Sequence, residues 1–302
     1  MTAARTKKDL TMTRMPKDQP VILITGAAGR IGSLLRRALP DDVGIAHHFG
    51  GSFGLRATDI LDPGPGAGHE DFRVGNLADP GFVDALFEDG RVAAVIHLAG
   101  YPREAGWDVL LDANIRSSIN LWEAARKTGV DRVLYASSNH ATGFYPRSRK
   151  IDHRVTQRPD SRYGLTKVFG EELGFLYAHK FGVRSFSMRI GMFLPQPTSH
   201  RGLSNWLSLP DTVRLVMVGL TADYICEVVY GVSNNTRSFW DNSAAYRLGY
   251  RPQDDAEAFA ERFPGPDNPD DHRAEHFQGG PYVSNGLTAP TEYLAELDFD
   301  TR

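Results

Sequence analysis

The segment Thr25-Gly26-Ala27-Ala28-Gly29-Arg30-Ile31-Gly32 constrains this chain more than any other. It follows a short apolar run, Val21–Thr25, and opens a stretch in which Ile31, Leu34, Leu35 and Ala38 recur at helical spacing. A strand that enters a helix through three glycines gives each of them a task. Gly26 makes the tight turn, Gly29 lets the backbone approach a pyrophosphate, and Gly32 lets the helix pack against the strand. The helix amino terminus adds unpaired N–H groups and the positive end of its dipole, which suit phosphate. A lone glycine pattern carries little, but this one has the strand before it and the helix after it. The expectation is a dinucleotide site on Gly26, Gly29, Arg30, Ile31 and Gly32.

Strand-like and helix-like patterns then alternate. Residues 55–60, 72–74, 92–99 (VAAVIHLA), 132–137 (RVLYAS) and 183–189 read as strands, and the runs within 92–99 and 132–137 are nearly continuously apolar. Residues 107–128 read as a long helix with Ile115, Ile119, Trp122 and Ala125 on one buried stripe, and residues 163–181 as another. Such alternation implies an α/β fold with a parallel sheet covered on both faces. Right-handed crossovers then make a doubly wound, Rossmann-type sheet the economical topology. After residue 190 the pattern loosens around Pro195, Pro197 and Pro210, with one more strand at 227–232 and a Pro- and Asp-rich stretch at 263–271. The expected organisation is a flexible extension over 1–19, a nucleotide-binding core over 20–190, and a small substrate lobe with a C-terminal tail over 191–302.

Composition narrows the partners. The 302 residues carry 34 Lys and Arg against 37 Asp and Glu, a net −3, so no broad basic face for nucleic acid is expected. No apolar run approaches the ~20 residues that span a bilayer. The single cysteine, Cys226, excludes an internal disulfide and a cysteine-cluster metal site. The ten histidines form no HxH or HExxH set, and no metal is expected. His47-His48 in the glycine-rich insertion 44–54 reads as a solvated loop. A cytoplasmic protein acting on a small molecule is the resulting expectation, without membrane or nucleic-acid partners, and as a homo-oligomer.

An acidic residue is needed for the adenosine ribose hydroxyls. Asp59 is the candidate, 27 residues past Gly32 and so further than the usual ~20, with the insertion 44–54 taking up the excess. Its charge repels a 2′-phosphate and favours NAD. Arg30 and Arg56 leave room for NADP, since a guanidinium can hold that phosphate. Asn76 follows the third strand, where an adenine-amine contact can form.

The chemistry gathers further on. The strand at 132–137 runs into Ser137-Ser138-Asn139-His140, and Tyr163-Gly-Leu-Thr-Lys167 opens a helix about 25 residues later. Tyr163 and Lys167 are four apart and share a helix face. A phenol titrates near 10 and is a poor base at neutral pH, but a nearby ammonium and a cationic nicotinamide stabilise its phenolate. A serine hydroxyl then orients the reacting alcohol. The expected catalytic set is Ser138, Tyr163 and Lys167.

Together these residues resemble the extended short-chain dehydrogenase/reductase family, over roughly residues 20–260. The resemblance implies a Rossmann fold, an NAD cofactor and catalysis by Ser138, Tyr163 and Lys167. It also implies a role for Asn114, in the helix after HLAG. Leu77, Leu98, Ala99, Gly100 and Ile190 complete the candidate cofactor set. More narrowly, ASSNHATGFYP, YGLTK, RIG and WDNS resemble uronate dehydrogenases, which oxidise C1 of glucuronate and galacturonate to a lactone. That resemblance implies that Asn139 and His140 face the sugar and that Arg201 grips its carboxylate, bidentately where geometry allows. Two positions depart from it, since Pro102 and Met192 stand where those enzymes carry serines. HLAGYPREAGW, ADYICEVVYGVSNNTR and LGYRPQDDAEAF also resemble archaeal-type sugar 1-dehydrogenases, which act on glucose 6-phosphate or pentoses. A nucleotide-sugar epimerase or dehydratase on the same fold is a further alternative. Trp107, Trp206 and Trp240 are candidates to wall a sugar pocket or to fill the core. Arg184, Arg189 and Arg201 together are candidates to attract an anionic substrate, while Arg184 better suits a strand edge and Arg189 a structural ion pair.

Overall fold

The computed structural model describes residues 18–63 and 70–297. Most of the expected N-terminal extension, residues 1–17, and the tail 298–302 lie outside the described residues. Seven parallel strands form one sheet: β1 (Val21–Thr25), β2 (Gly54–Asp59), β3 (Glu70–Val74), β4 (Val92–His97), β5 (Arg132–Ser138), β6 (Arg184–Ile190) and β9 (Cys226–Gly231). Two-residue strands β7 (Met192–Phe193) and β8 (Trp206–Leu207) pair separately. The order across the main sheet is β3-β2-β1-β4-β5-β6-β9, so the direction of winding reverses between β1 and β4. A crevice opens at that point, beyond the carboxyl ends of the strands.

Both faces of the sheet are covered, which is why its strands tolerate unbroken apolar runs. Alternate residues of β1 divide between the faces. Ile22 and Ile24 pack with Leu134, Phe186 and the helix α8 (Leu209–Thr221) on one side. Leu23 packs with Val95, Val133, Trp122 and Tyr177 on the other. Trp122, in α5 (Ser117–Thr128), is fully buried, and its loss would cost about 3–5 kcal/mol.

The long helix over 107–128 is interrupted. It runs as α4 (Trp107–Leu110), a π-helical turn (Leu111–Arg116) and then α5. The wide turn takes an extra residue and shifts the helical phase. The expected buried stripe is therefore only half right. Trp122 and Ala125 are buried, but Ile119 is 38% exposed and Ile115 is only partly buried. Asn114 turns inward instead. His47-His48 is likewise not a loop, since both residues are exposed at the end of helix α2 (Val43–His48), whose Ile45 is buried in the core.

Candidate active site

A cavity of about 890 Å³ lies along the crevice. Its wall includes Gly26, Gly29, Arg30, Ile31, Gly32, Asp59, Asn76, Leu77, Leu98, Ala99, Gly100, Pro102, Ser138, Asn139, His140, Tyr163, Lys167 and Ile190. These residues come from the carboxyl ends of six different strands and from two helix starts. The parallel sheet thus brings to one place residues spread over more than half the chain.

At one end the glycine turn has the shape expected of a dinucleotide cradle. Gly26 sits at φ +67°, and a Cβ there would lie 2.7 Å from the Ala99 nitrogen. A Cβ on Gly32 would strike the Gly26 carbonyl and the Ala27 backbone. Helix α1 (Arg30–Ala38) starts without a capping side chain or an acid in its first turn, among the described residues. Its amino-terminal N–H groups are thus left for an anion, as a pyrophosphate requires. Asp59 accepts hydrogen bonds from the Ala28 N–H at 2.9 Å and the Leu61 N–H at 3.2 Å, which fixes its carboxylate beside the turn. The Asn76 side chain accepts from the Ala78 N–H. These features fit NAD. Arg56 does not share the task suggested for it. It is fully buried under β2 and bound to Asp71 and Asp89, so it cannot meet a 2′-phosphate.

In the middle stand Ser138, Tyr163 and Lys167. Ser138 ends β5, and the other two lie in the first two turns of α6 (Arg162–Phe181). The helix start is fixed twice: the Ser161 hydroxyl accepts from the Gly164 N–H, and the Glu104 carboxylate accepts from the Tyr163 N–H. The Ser138 side chain lies close enough to the Tyr163 phenol to favour its ionised form. Burial pushes the Tyr163 phenol up to about 12, against the pull of Ser138. Burial likewise lowers the Lys167 ammonium to about 8. Lys167 Nζ donates to the Ala136 carbonyl at 2.9 Å and lies 5.5 Å from the Tyr163 ring centroid. Beneath them Asn114 bridges the Tyr101 backbone and the Thr166 hydroxyl. It is buried and does not reach the cavity wall.

At the far end His140 donates or accepts through Nδ1 with Asp160 at 2.7 Å and stacks on Tyr282 at 3.9 Å. Asn139 lines the wall beside it, and Arg201 lies behind. The Arg201 guanidinium is surrounded by protein, and burial lowers it to about 10. Its Nε and Nη2 donate to the Gln278 carbonyl at 2.9 and 2.6 Å. With their amides oriented to satisfy both ends, Asn139 accepts from Nη2 and Asn205 from Nη1, each at 2.9 Å. A guanidinium has five N–H donors, and four contacts are thus already made. The bidentate grip expected of Arg201 is therefore not available in this arrangement, and Arg201 is not part of the cavity wall. Met192 is also set back, its sulfur turned toward Thr198. None of Trp107, Trp206 and Trp240 lines the cavity. Trp206 and Trp240 are core, and Trp107 is 43% exposed on α4.

Residues 22–200 match the model of the NAD dependent epimerase/dehydratase family, which is more than half of the chain. The chain belongs to that family. It is 40% identical to a uronate dehydrogenase of Pseudomonas syringae pv. tomato over 88% of this chain and 94% of the relative. It is 34% identical to an NAD-dependent glucose-6-phosphate dehydrogenase of Haloferax volcanii, over 80% of this chain and 96% of the relative. A crystal structure of a uronate dehydrogenase from Agrobacterium tumefaciens complexed with NAD superposes with a TM-score of 0.80 at 35% identity, covering 90% of this chain and all of that one. The cofactor of this NAD dependent family is the one the glycine turn fits.

Several residues at the far end of this family member's cavity escape sequence reasoning. Asp160, Gln278 and Tyr282 lie 20, 138 and 142 residues from His140. Nothing local marks them, because their meaning depends on the tail returning to the sheet. The positive φ of Gly280 (+66°) lets it do so beside Arg201, where a Cβ would meet the guanidinium at 2.8 Å. A Gly-Gly pair at 279–280 was the one signal available. Arg189, by contrast, forms the expected structural ion pair, with Glu171 at 2.8 Å, and both side chains are buried. Arg184 lies at the start of β6 beside Asp131 and Asp223.

Proposed function

We propose that this chain oxidises the C1 hydroxyl of a uronic acid, glucuronate or galacturonate, to the lactone with NAD. The observation that carries the reading is the meeting of Ser138, Tyr163 and Lys167 in the cavity whose other end is the glycine turn. NAD, when bound, supplies the two-electron acceptor for the sugar carbon. Gly26, Gly29, Gly32 and Asp59 hold its adenosine diphosphate part. Tyr163 Oη takes the proton of the C1 hydroxyl. Ser138 Oγ, beside that phenol, holds the same hydroxyl in line. The Lys167 ammonium stabilises the phenolate against a burial that would otherwise keep it protonated. Burial of Tyr163 to 8% exposure keeps bulk water from the proton being moved.

The uronate is supported by the relatives named for it and by Arg201. Among the described residues no carboxylate forms an ion pair with that guanidinium, so its charge is free to favour an anion nearby. Asn139 and His140 face the sugar, and the segment after residue 190 forms the substrate side. Pro102 and Met192 offer no hydroxyl, which favours a second reading, a sugar or sugar-phosphate 1-dehydrogenase. We further read the protein as cytoplasmic and as a homo-oligomer. An exposed apolar stripe of Trp107, Leu111 and Ile119, beside Leu165 and Leu176 on α6, supports the second point. Among the described residues, no helix is long and apolar enough to cross a membrane.

The purified protein, mixed with NAD or NADP, is offered glucuronate, galacturonate, glucose 6-phosphate, arabinose and glucose while nicotinamide absorbance is followed. Reduction with uronates is expected, and Tyr163→Phe abolishes it while NAD binding persists. A response to neutral sugars alone would overturn the uronate. Turnover of a UDP-sugar with retained NAD and no net reduction would overturn the dehydrogenase.

A further inference from the structure

The geometry points to Asp160 as a positioning residue that fixes the proton of His140 on Nδ1, so that Nε2 presents a lone pair to a sugar hydroxyl. The inference takes its substrate class from the preceding reading.

Asp160 is the last residue before the Ser161 cap of α6, and its side chain is completely buried. It is not needed to cap the helix. Ser161 does that for Gly164, and Glu104 does it for Tyr163. One carboxylate oxygen accepts from the Ser161 hydroxyl at 2.8 Å, and the other meets His140 Nδ1 at 2.7 Å. The backbone repeats the link, with the Asp160 N–H donating to the His140 carbonyl at 3.3 Å.

Two glycines from distant segments leave room for that second oxygen. A Cβ on Gly143 or on Gly279 would collide with Asp160 Oδ2. Neither glycine has the positive φ that would itself demand glycine. The chain therefore shapes three segments, around residues 143, 160 and 279, to seat one buried carboxylate beside one ring nitrogen. Burying a carboxylate is costly unless it is bonded and paired. Its partner here is a histidine at the cavity wall.

An ionised carboxylate only accepts, so Nδ1 carries the proton. In the neutral ring Nε2 is then the acceptor. The Tyr282 ring holds the opposite degree of freedom, stacked on the imidazole at 3.9 Å with 25° between the planes. His140 can neither tilt nor exchange tautomers without breaking one of these contacts. A fixed acceptor at this position discriminates a hydroxyl from a group that cannot donate, and it acts on binding more than on the chemical step, since Tyr163 and Ser138 handle the proton.

Two measurements test this. Long-range proton–nitrogen correlation spectra of the wild-type protein, with His140 assigned through His140→Gln, report which ring nitrogen is protonated in the neutral form. Protonation at Nδ1 is expected, and protonation at Nε2 would overturn the proposal whatever the substrate. Asp160→Asn can offer an amide N–H to Nδ1 and so permits the other tautomer. In that variant KM for glucuronate should rise roughly tenfold or more, with kcat within about threefold and NAD affinity within about twofold of wild type. A tautomer that switches while KM stays within about twofold would also overturn it, as would a parallel loss of kcat, KM, NAD affinity and melting temperature. If the wild-type protein oxidises only a neutral sugar, that sugar replaces glucuronate in the same comparison. The substrate reading then fails separately from the role of Asp160.

Discussion

Replacing Lys167 by Met removes the positive charge beside Tyr163 and keeps most of the packing. The ammonium lies 5.5 Å from the Tyr163 ring centroid. At an effective dielectric of about 20, unit charges at that separation interact by about 3 kcal/mol, or about two pH units. Burial holds Lys167 at about 8, so at pH 7 about nine molecules in ten still carry the charge. The sign is fixed: a phenol loses its proton less readily when a neighbouring cation is removed, so Tyr163 moves further above its already raised value. The base form at neutral pH becomes scarcer, and the limb of kcat/KM that rises with pH moves to higher pH. The expected loss at pH 7 is roughly a hundredfold, recovering as pH rises. The assay is kcat/KM for glucuronate across the pH range with NAD held saturating, because Lys167 also lines the cavity that fits the cofactor. A loss below about threefold at pH 7, with the limb unmoved, would refute an electrostatic role for Lys167.

Other expected outcomes concern the two ends of the cavity. Gly32→Ala pushes a methyl into the Gly26 carbonyl, which overpacking places at about 1–3 kcal/mol, and NAD affinity measured by fluorescence quenching should fall along with the melting temperature. Asp59→Ala removes the charge that opposes a 2′-phosphate, and the ratio of NADP to NAD efficiency should rise by roughly tenfold or more. Arg201→Met removes a half-buried charge together with contacts that hold Asn139 and Gln278, so KM should rise for every sugar, and for glucuronate by roughly tenfold more than for a neutral sugar. Equal losses on both substrate types would assign Arg201 to the fold alone.

What the sequence made legible follows how local the physics is. The glycine turn, the strand runs and the Tyr163–Lys167 spacing are short-range patterns, and each lies where its pattern places it. The long helix misled because its pattern was read with a constant period. The π turn at Leu111–Arg116 adds a residue, so Ile115 and Ile119 rotate outward while Asn114 rotates in. Arg56 misled differently. An arginine in the second strand, close to the candidate acid Asp59, suggests phosphate recognition, but which neighbours its side chain meets depends on register. Here it pairs inward with two aspartates of neighbouring elements. The role given to Arg201 depended on how many of its donors remain free, and that is decided by Gln278, 77 residues away.

The two ends of the site are built by different means. The nucleotide end is made of backbone: turns, helix N–H groups and glycines whose missing side chains define the space. It needs only the first strands and helices. The sugar end is made of side chains held from several directions, and it closes only when the tail at Gln278–Tyr282 returns to His140 and Arg201. A change in the tail therefore alters the sugar end while the glycine turn keeps its shape. On the reading proposed above, Asp160, Gln278 and Tyr282 then bear on substrate preference through His140 and Arg201. The overall charge of −3 gives an anionic sugar no pull. Any preference for a uronate then draws on local cations: Arg103 on the cavity wall, and Arg201 behind it, a half-buried guanidinium satisfied by three carbonyl oxygens and matched by no carboxylate in an ion pair among the described residues.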